Sequence, residues 1–389
     1  MKNIIHITIV AVSIILLFLG NNLVESLNRN NNLYAYYYPF EIVQTFSGTV
    51  AEIFYIEHDQ IPMSNIGDDG EVSFINVNFT SIVFMVNLGR SEGGRQVVGI
   101  QQISDITRVP TREVEVGDRI ILQFNEHEQI FELIEFVRIN YIIIFGLIII
   151  VAVLFFGKKQ GLNSIIALLL TLFAIFWVFI PAILAGVNIY IATLLVCFYS
   201  IITTILIVIG LNKKSISSMV GCLTSVIIAA LFIIIMDSFL ELTGMLSADY
   251  YALLYIENPI TDLRSLLFAG ITIGVVGAVM DVSMSISSSL WEVKQTTSNI
   301  AFKDFYNAGL NIGKDILGTM SNTLILAYIG SSLGIILVLT AETPLIANLF
   351  HTEMIIAELL RATIGIAGIF LAIPITTMVC SLVYSKDSA

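Results

Sequence analysis

Between residues 21 and 138 the chain has no lysine and no cysteine, although both occur elsewhere in it. All three cysteines, Cys197, Cys222 and Cys380, lie in apolar stretches. The one polar segment therefore has no disulfide framework, and thiols buried among apolar helices behave as inert small hydrophobes. The four histidines show no spacing that builds a zinc site, and no metal is assigned. Charge is also scarce, at 12% of residues, where a soluble domain carries about 25%. There is no G-x-x-x-x-G-K-[ST] loop, so the chain has no nucleotide motor of its own. Neither a Gly-x-Gly-Asp with a second mid-membrane Asp nor a Gly-x-Ser-Gly with histidine is present. An intramembrane enzyme is thereby disfavoured, and no catalytic residue or cofactor is expected.

What the chain does have is apolar length. Eight stretches approach or reach the roughly 20 residues needed to cross a bilayer: 4–20, 139–156, 162–184, 189–211, 216–236, 265–284, 320–340 and 362–384. With the amino terminus in the cytoplasm, all nine lysines (residues 2, 158, 159, 213, 214, 294, 303, 314 and 386) fall on the cytoplasmic side. The short turns around Lys158-Lys159 and Lys213-Lys214 are where the positive-inside rule reads best. The expectation is a multi-pass α-helical membrane protein, with about eight transmembrane helices and both termini cytoplasmic. No small-x-small cleavage pattern follows the first stretch, so residues 1–20 read as an uncleaved anchor.

Residues 21–138 are expected outside the cytoplasm. They hold seventeen acids against seven arginines, which disfavours nucleic acid as a partner. After an Asn-rich linker and the aromatics Tyr34, Tyr36, Tyr37 and Tyr38, short apolar runs alternate with turn residues. The runs are 46–55, 72–77, 81–88, 96–103, 119–124 and 129–137. Several short strands in so few residues predict a small all-β domain, a barrel or a sandwich. Val114-Glu115-Val116-Gly117-Asp118-Arg119 reads as a structural turn feeding a strand.

The remainder, 139–389, is a seven-helix membrane domain whose chemistry is concentrated in residues 277–330. Asp281, Ser285, Ser288 and Glu292 recur at i, i+4, i+7 and i+11, which aligns them on one helix face. Asn311, Asp315, Thr319 and Asn322 form a second stripe at i, i+4, i+8 and i+11. Two such stripes brought together would line a cleft with oxygen ligands suited to hard cations or to a proton relay. The alternative is that Asp281 lies near the cytoplasmic end and orients a helix, with the serines and glycines serving packing. Gly270, Gly274, Gly277, Gly330, Gly334, Gly365 and Gly368 are expected to bring the last three spans together, with the earlier spans nearer lipid. Glu358 and Arg361, at i and i+3, can form an ion pair, read as structural. The segment 237–264, with Tyr250, Tyr251 and Tyr255, reads as a short interfacial helix.

The string from Gly277 through Asp281 to Glu292, the string from Asn311 to Gly330, Glu358-Leu359-Leu360-Arg361 and Ile373-Pro374-Ile375-Thr376 resemble the YibE/F family of bacterial multi-pass membrane proteins. The general plan is similar too: an N-terminal anchor, a small extracytoplasmic β domain opening with Gly48-Thr49-Val50, and seven further helices. The resemblance implies a membrane protein and no particular substrate.

Two functional expectations follow. One is a permease or exporter of a small solute or cation, with its path along the two polar stripes. The other is a membrane-anchored scaffold or sensor whose outer β domain binds a partner. Expected partners are the lipid bilayer, an unknown small solute or cation, and either another protein or a second copy of the chain.

Overall fold

The computed structural model describes residues 2–30, 45–66, 72–89, 94–104, 112–125, 129–247, 249–254, 260, 262–297, 301–342 and 351–385. Its contacts divide the chain into two units, 38–152 and 1–37 with 153–389. The aromatics Tyr34 to Tyr38, the turn at Asp68, and Tyr255 lie outside the described residues.

In the smaller unit, strands β1 (Thr45–Ile66), β2 (Val72–Leu88), β3 (Gln96–Ser104), β4 (Arg119–Asn125) and β5 (Ile130–Phe136) pair in the order β1-β2-β3-β5-β4. The ring of pairings closes because β1 also pairs with β4. All neighbours are antiparallel except β3 and β5, which run parallel. The runs 72–77 and 81–88, expected as two strands, form one. Asn78, Phe79 and Thr80 stay in register with Gln60, Asp59 and His58, and the Thr80 hydroxyl lies 3.0 Å from the His58 ring nitrogen Nδ1. A turn is unnecessary where the cross-strand pair is already satisfied. Alternate residues of β2, namely Ile82, Phe84, Val86 and Leu88, turn inward with Val50, Ile120 and Leu122, as a period of two requires. The turn before β4 is structural. Gly117 supplies a positive φ of 95°, Asp118 accepts from the Glu115 amide, and Arg112 pairs with Asp118 at 2.6 Å.

The larger unit is helical, with the start of α2 counted in the smaller one: α1 (Lys2–Asn30), α2 (Ile139–Phe173) running through a π-helical turn (Ala174–Phe179) into α3 (Ile180–Leu184), α4 (Ile189–Ile209), α5 (Lys213–Leu240), α6 (Asp249–Leu254), α7 (Leu263–Thr296), α8 (Phe302–Ser331), α9 (Leu333–Glu342) and α10 (Glu353–Ser385). Among the described residues six helical stretches are long and apolar enough to cross a bilayer. The longest, Ile139–Leu184, bends back at Lys158, where φ is 47° and ψ is −125°. A side chain on Gly161 would meet the Val153 carbonyl, although eight residues span about 12 Å along a straight helix. The π turn precedes Pro181, which has no amide to donate. Local caps set the other starts. Asn188 accepts from Ile191, Asn212 and Ser215 form a capping box, and Asp262 accepts from Ser265.

The centre of the unit is α5, α7 and α10, whose residues dominate the buried core. The expectation that the spans up to α5 lie nearer lipid needs correction for α5. Its small residues allow a close approach: Gly221 meets Thr376 of α10 with no room for a Cβ. The stretch 320–340 is also not one helix. It is the second half of α8, ended at Ser331, followed by α9.

Candidate functional site

Helix α7 is enclosed on most of its circumference. Ile271, Val275, Val279, Val282, Ile286 and Leu290 are buried. One narrow strip stays open along the helix: Gly270, Gly274, Gly277, Asp281, Ser285 and Glu292 are exposed, and Ser288 is half-buried. These seven positions fall within roughly 40° of one direction at about 100° per residue. The floor at Gly277 is bare, with no heavy atom within 4 Å of where a Cβ would stand.

The depth of Asp281 follows from its neighbours. The Ser287 hydroxyl donates to the Lys214 carbonyl at 2.8 Å, which ties that level of α7 to the first turn of α5. Asp281 is six residues further along, about 9 Å by helical rise. It therefore sits well past the Lys213-Lys214 end of the bundle, alongside the apolar part of α5. Its carboxylate has no hydrogen-bond or ion-pair partner among the described residues. At the Asp262 end of the same strip, Arg361 Nη1 donates to Glu358 Oε1 at 2.9 Å. Glu358 Oε2 and Arg361 Nε are buried with no partner. Arg361 Nη2 lies 4.0 Å from a Cβ built on Gly270, and the Tyr328 hydroxyl 3.1 Å from one on Gly274. An ion pair and a phenol thus stand at one end of a side-chain-free strip, with a carboxylate about 16 Å down it.

The second stripe sits elsewhere. Helix α8 buries Phe305, Gly309 and Gly313. Gly309 lies against Thr377 and Leu290, Gly313 against Ile373, and Leu324 against Gly365. Asn311 is two residues from both Gly309 and Gly313, about 200° around the helix from Gly309. Asn311, Asp315, Thr319 and Asn322 are accordingly all exposed, on the side of α8 turned away from α10. The Thr319 hydroxyl bonds only the backbone of its own helix. No hydrogen bond or ion pair joins the two stripes among the described residues, so within one chain they do not form a shared cleft.

Two packing features escaped the sequence reading. The first is a hydroxyl seam between α5, α7 and α10. Thr376 donates to Ser283 at 3.1 Å, Ser218 donates to the Ser283 carbonyl, and the Ser287 and Tyr384 hydroxyls are 3.0 Å apart. Ser283 and Ser287 are thus packing residues, while Ser285 and Ser288 line the open strip. A search for serines on two faces of one helix would have separated them. The second is the choice of glycines. Gly365 and Gly368 make close contacts, whereas Gly330 and Gly334 have nothing within 4 Å; Gly221, Gly309 and Gly313 are close-packed against α10 as well.

At the Asp262 end, Glu353 holds the loop after α5, accepting from the Gly244 amide at 2.6 Å and the Thr243 hydroxyl at 2.7 Å. Asp237, Arg264, Tyr190 and Leu360 help line a cavity of about 30 Å³ close by. Among the described residues no three His, Cys, Asp or Glu side chains gather where one metal ion could be held.

A family model described as YibE/F-like protein matches residues 145–386. Comparison with curated proteins and with solved structures returns no match. The matched region contains the open strip of α7, the α8 stripe and the Glu358–Arg361 pair, and covers well over half of the sequence: the chain belongs to the YibE/F-like family.

Proposed function

We propose that the chain is a permease or exporter of a small cation or polar solute, energised by an ion gradient or a partner. The observation that carries this reading is Asp281, a carboxylate without a partner among the described residues, on the open strip of the central helix and well inside its apolar length. A charge at the bilayer centre costs about 2.5–3.5 kcal/mol on insertion scales and normally faces water or a counter-charge. The bare floor at Gly277 lies between it and the Tyr328 hydroxyl and Glu358–Arg361 pair at the far end of the strip. Asp281, Ser285, Ser288 and Glu292 are the path residues on α7. Asn311, Asp315, Thr319 and Asn322 complete the polar surface on α8.

In this reading the protein lies in the bacterial plasma membrane with both termini cytoplasmic. The bend at Lys158 divides Ile139–Leu184 into two spans, and α8 with α9 makes another, giving eight. The closed strand order corresponds to a small barrel outside. Purified protein in liposomes, screened for proton, alkali-cation and divalent-cation flux, tests the proposal; protein-dependent flux supports it, and no flux of any of these above empty liposomes counts against it.

One observation favours the scaffold alternative. The β1–β2 ribbon from Asp59–Asn65 and Ser73–Phe79 extends past most of the register with β3, which begins at Phe79. Such an arm suits contact with another protein. Deleting residues 60–77 would abolish function if the arm binds a required partner, and leave flux intact if transport needs only the helices.

A further inference from the structure

Two polar faces at membrane depth on one chain, α7 and α8, require a cover. The heights of their charges say what that cover is. Helices α7 and α10 are aligned by Ser283 against Thr376 and Val275 against Gly368. Helix α8 is aligned on α10 by Gly313 against Ile373 and by the Phe305 ring 6.3 Å from that of Tyr384. Asp281, two residues before Ser283, and Lys314, next to Gly313, therefore stand at the same height, near Pro374. Eleven residues on from Asp281 is Glu292; eleven residues back from Lys314 is Lys303. The two helices run antiparallel, so this second acid and second base also share a level, about 16 Å away. Eleven residues complete three turns to within about 20°, so each pair of like charges lies on one face of its helix. All four side chains are exposed, and among the described residues none has an ion-pair partner.

We infer that the open strip of α7 is covered by α8 of a second copy of this chain, in a two-fold dimer whose axis runs along the membrane normal. Rotation about that axis keeps every residue at its own height. The second copy's Lys314 thereby meets Asp281, and its Lys303 meets Glu292. The reciprocal pairs form on the other side of the axis, as an isologous contact demands. Gly277, with no heavy atom within 4 Å of where a Cβ would stand, admits the approach of a helix backbone, as small residues do in membrane interfaces. The two bases neutralise carboxylates that would otherwise face lipid. The proposed solute path then runs in the seam between copies. The dimer does not depend on transport, since crosslinking reads the seam and flux reads the path, and either can fail alone.

The test is a crosslink that only two chains can make. Ser288 is seven residues from Asp281, and Asn307 is seven from Lys314, on the faces that would meet. Full-length Ser288→Cys and Asn307→Cys chains, differently tagged, are co-expressed in membranes and oxidised; the native Cys197, Cys222 and Cys380 are buried and free. The expected result is a mixed-tag covalent dimer absent from the native chain. Asp281→Lys in the Ser288→Cys chain should lower its yield at least tenfold, and Lys314→Asp in the Asn307→Cys chain should restore it. Three results would overturn the inference: Asn307→Cys crosslinking only to itself, which means that α8 meets α8; no crosslink of either kind in monodisperse protein; or failure of the charge swap to restore the yield.

Discussion

Ser287 of α7 donates its hydroxyl to the Lys214 carbonyl of α5 across 2.8 Å, while the Tyr384 hydroxyl of α10 stands 3.0 Å from Ser287 Oγ. The contact joins three helices at one level. Its meaning for function is indirect, because it sets how far along α7 the exposed Asp281 lies. It also gives Ser287 a purely structural role beside neighbours that face the open strip. Ser287→Ala should destabilise the bundle by about 0.6–1.7 kcal/mol, the range for interhelical hydrogen bonds in membranes. Thermal unfolding in detergent should show a modest shift with flux unchanged. Loss of flux with no loss of stability would place Ser287 in the path.

Gly313 is close-packed against Ile373 and Gly309 against Thr377. Gly313→Leu should push α8 off α10 and cost about 1–3 kcal/mol, as overpacking does. The expected readout is faster proteolysis between α7 and α8 in the folded bundle. Gly330→Leu, at a site with open space, should have little effect.

Glu353 accepts both the Gly244 amide and the Thr243 hydroxyl. Glu353→Ala should release the loop between α5 and α6, raising hydrogen exchange at Gly244 at least tenfold. Unchanged exchange would mean that the positive φ of 81° at Gly244 and its packing against Leu263 suffice.

In the β unit the buried Gln101 side chain donates to the Arg112 carbonyl at 2.8 Å and accepts from the Val114 amide at 2.8 Å. It ties β3 to the segment leading into β4. Gln101→Ala leaves a buried amide without its acceptor, at a cost of about 1–3 kcal/mol. A lower melting temperature by strand-region circular dichroism of residues 45–138 is the expected result.

The spacing of short apolar runs by turn residues made the β unit legible, although Val83 and Met85 keep polarity from marking the inward set Ile82, Phe84, Val86 and Leu88. It misplaced two boundaries: β1 runs on to Ile66 beyond the expected 46–55, and Asn78 and Thr80 look like turn residues although their partners are on β1. The start of α8 at Phe302 was hidden from hydropathy. Its first half carries Lys303, Asp304, Asn307, Asn311 and Lys314, and only the small side of Gly309 and Gly313 shows that it packs. Helical spacing placed Asp281 on one face with Ser285, Ser288 and Glu292. It could not say that the α8 stripe turns away from that face, because spacing describes each helix alone and says nothing of which side its neighbour occupies.

The most direct measurement is ion and solute flux into liposomes holding the native chain, Asp281→Asn, and Ser287→Ala as a packing control. Asn keeps the volume of Asp and most of its hydrogen bonding and removes the charge. If the open strip of α7 is the path, Asp281→Asn should insert and unfold like the native protein yet lose flux at least tenfold, with Ser287→Ala close to native. Native flux in Asp281→Asn would contradict the account.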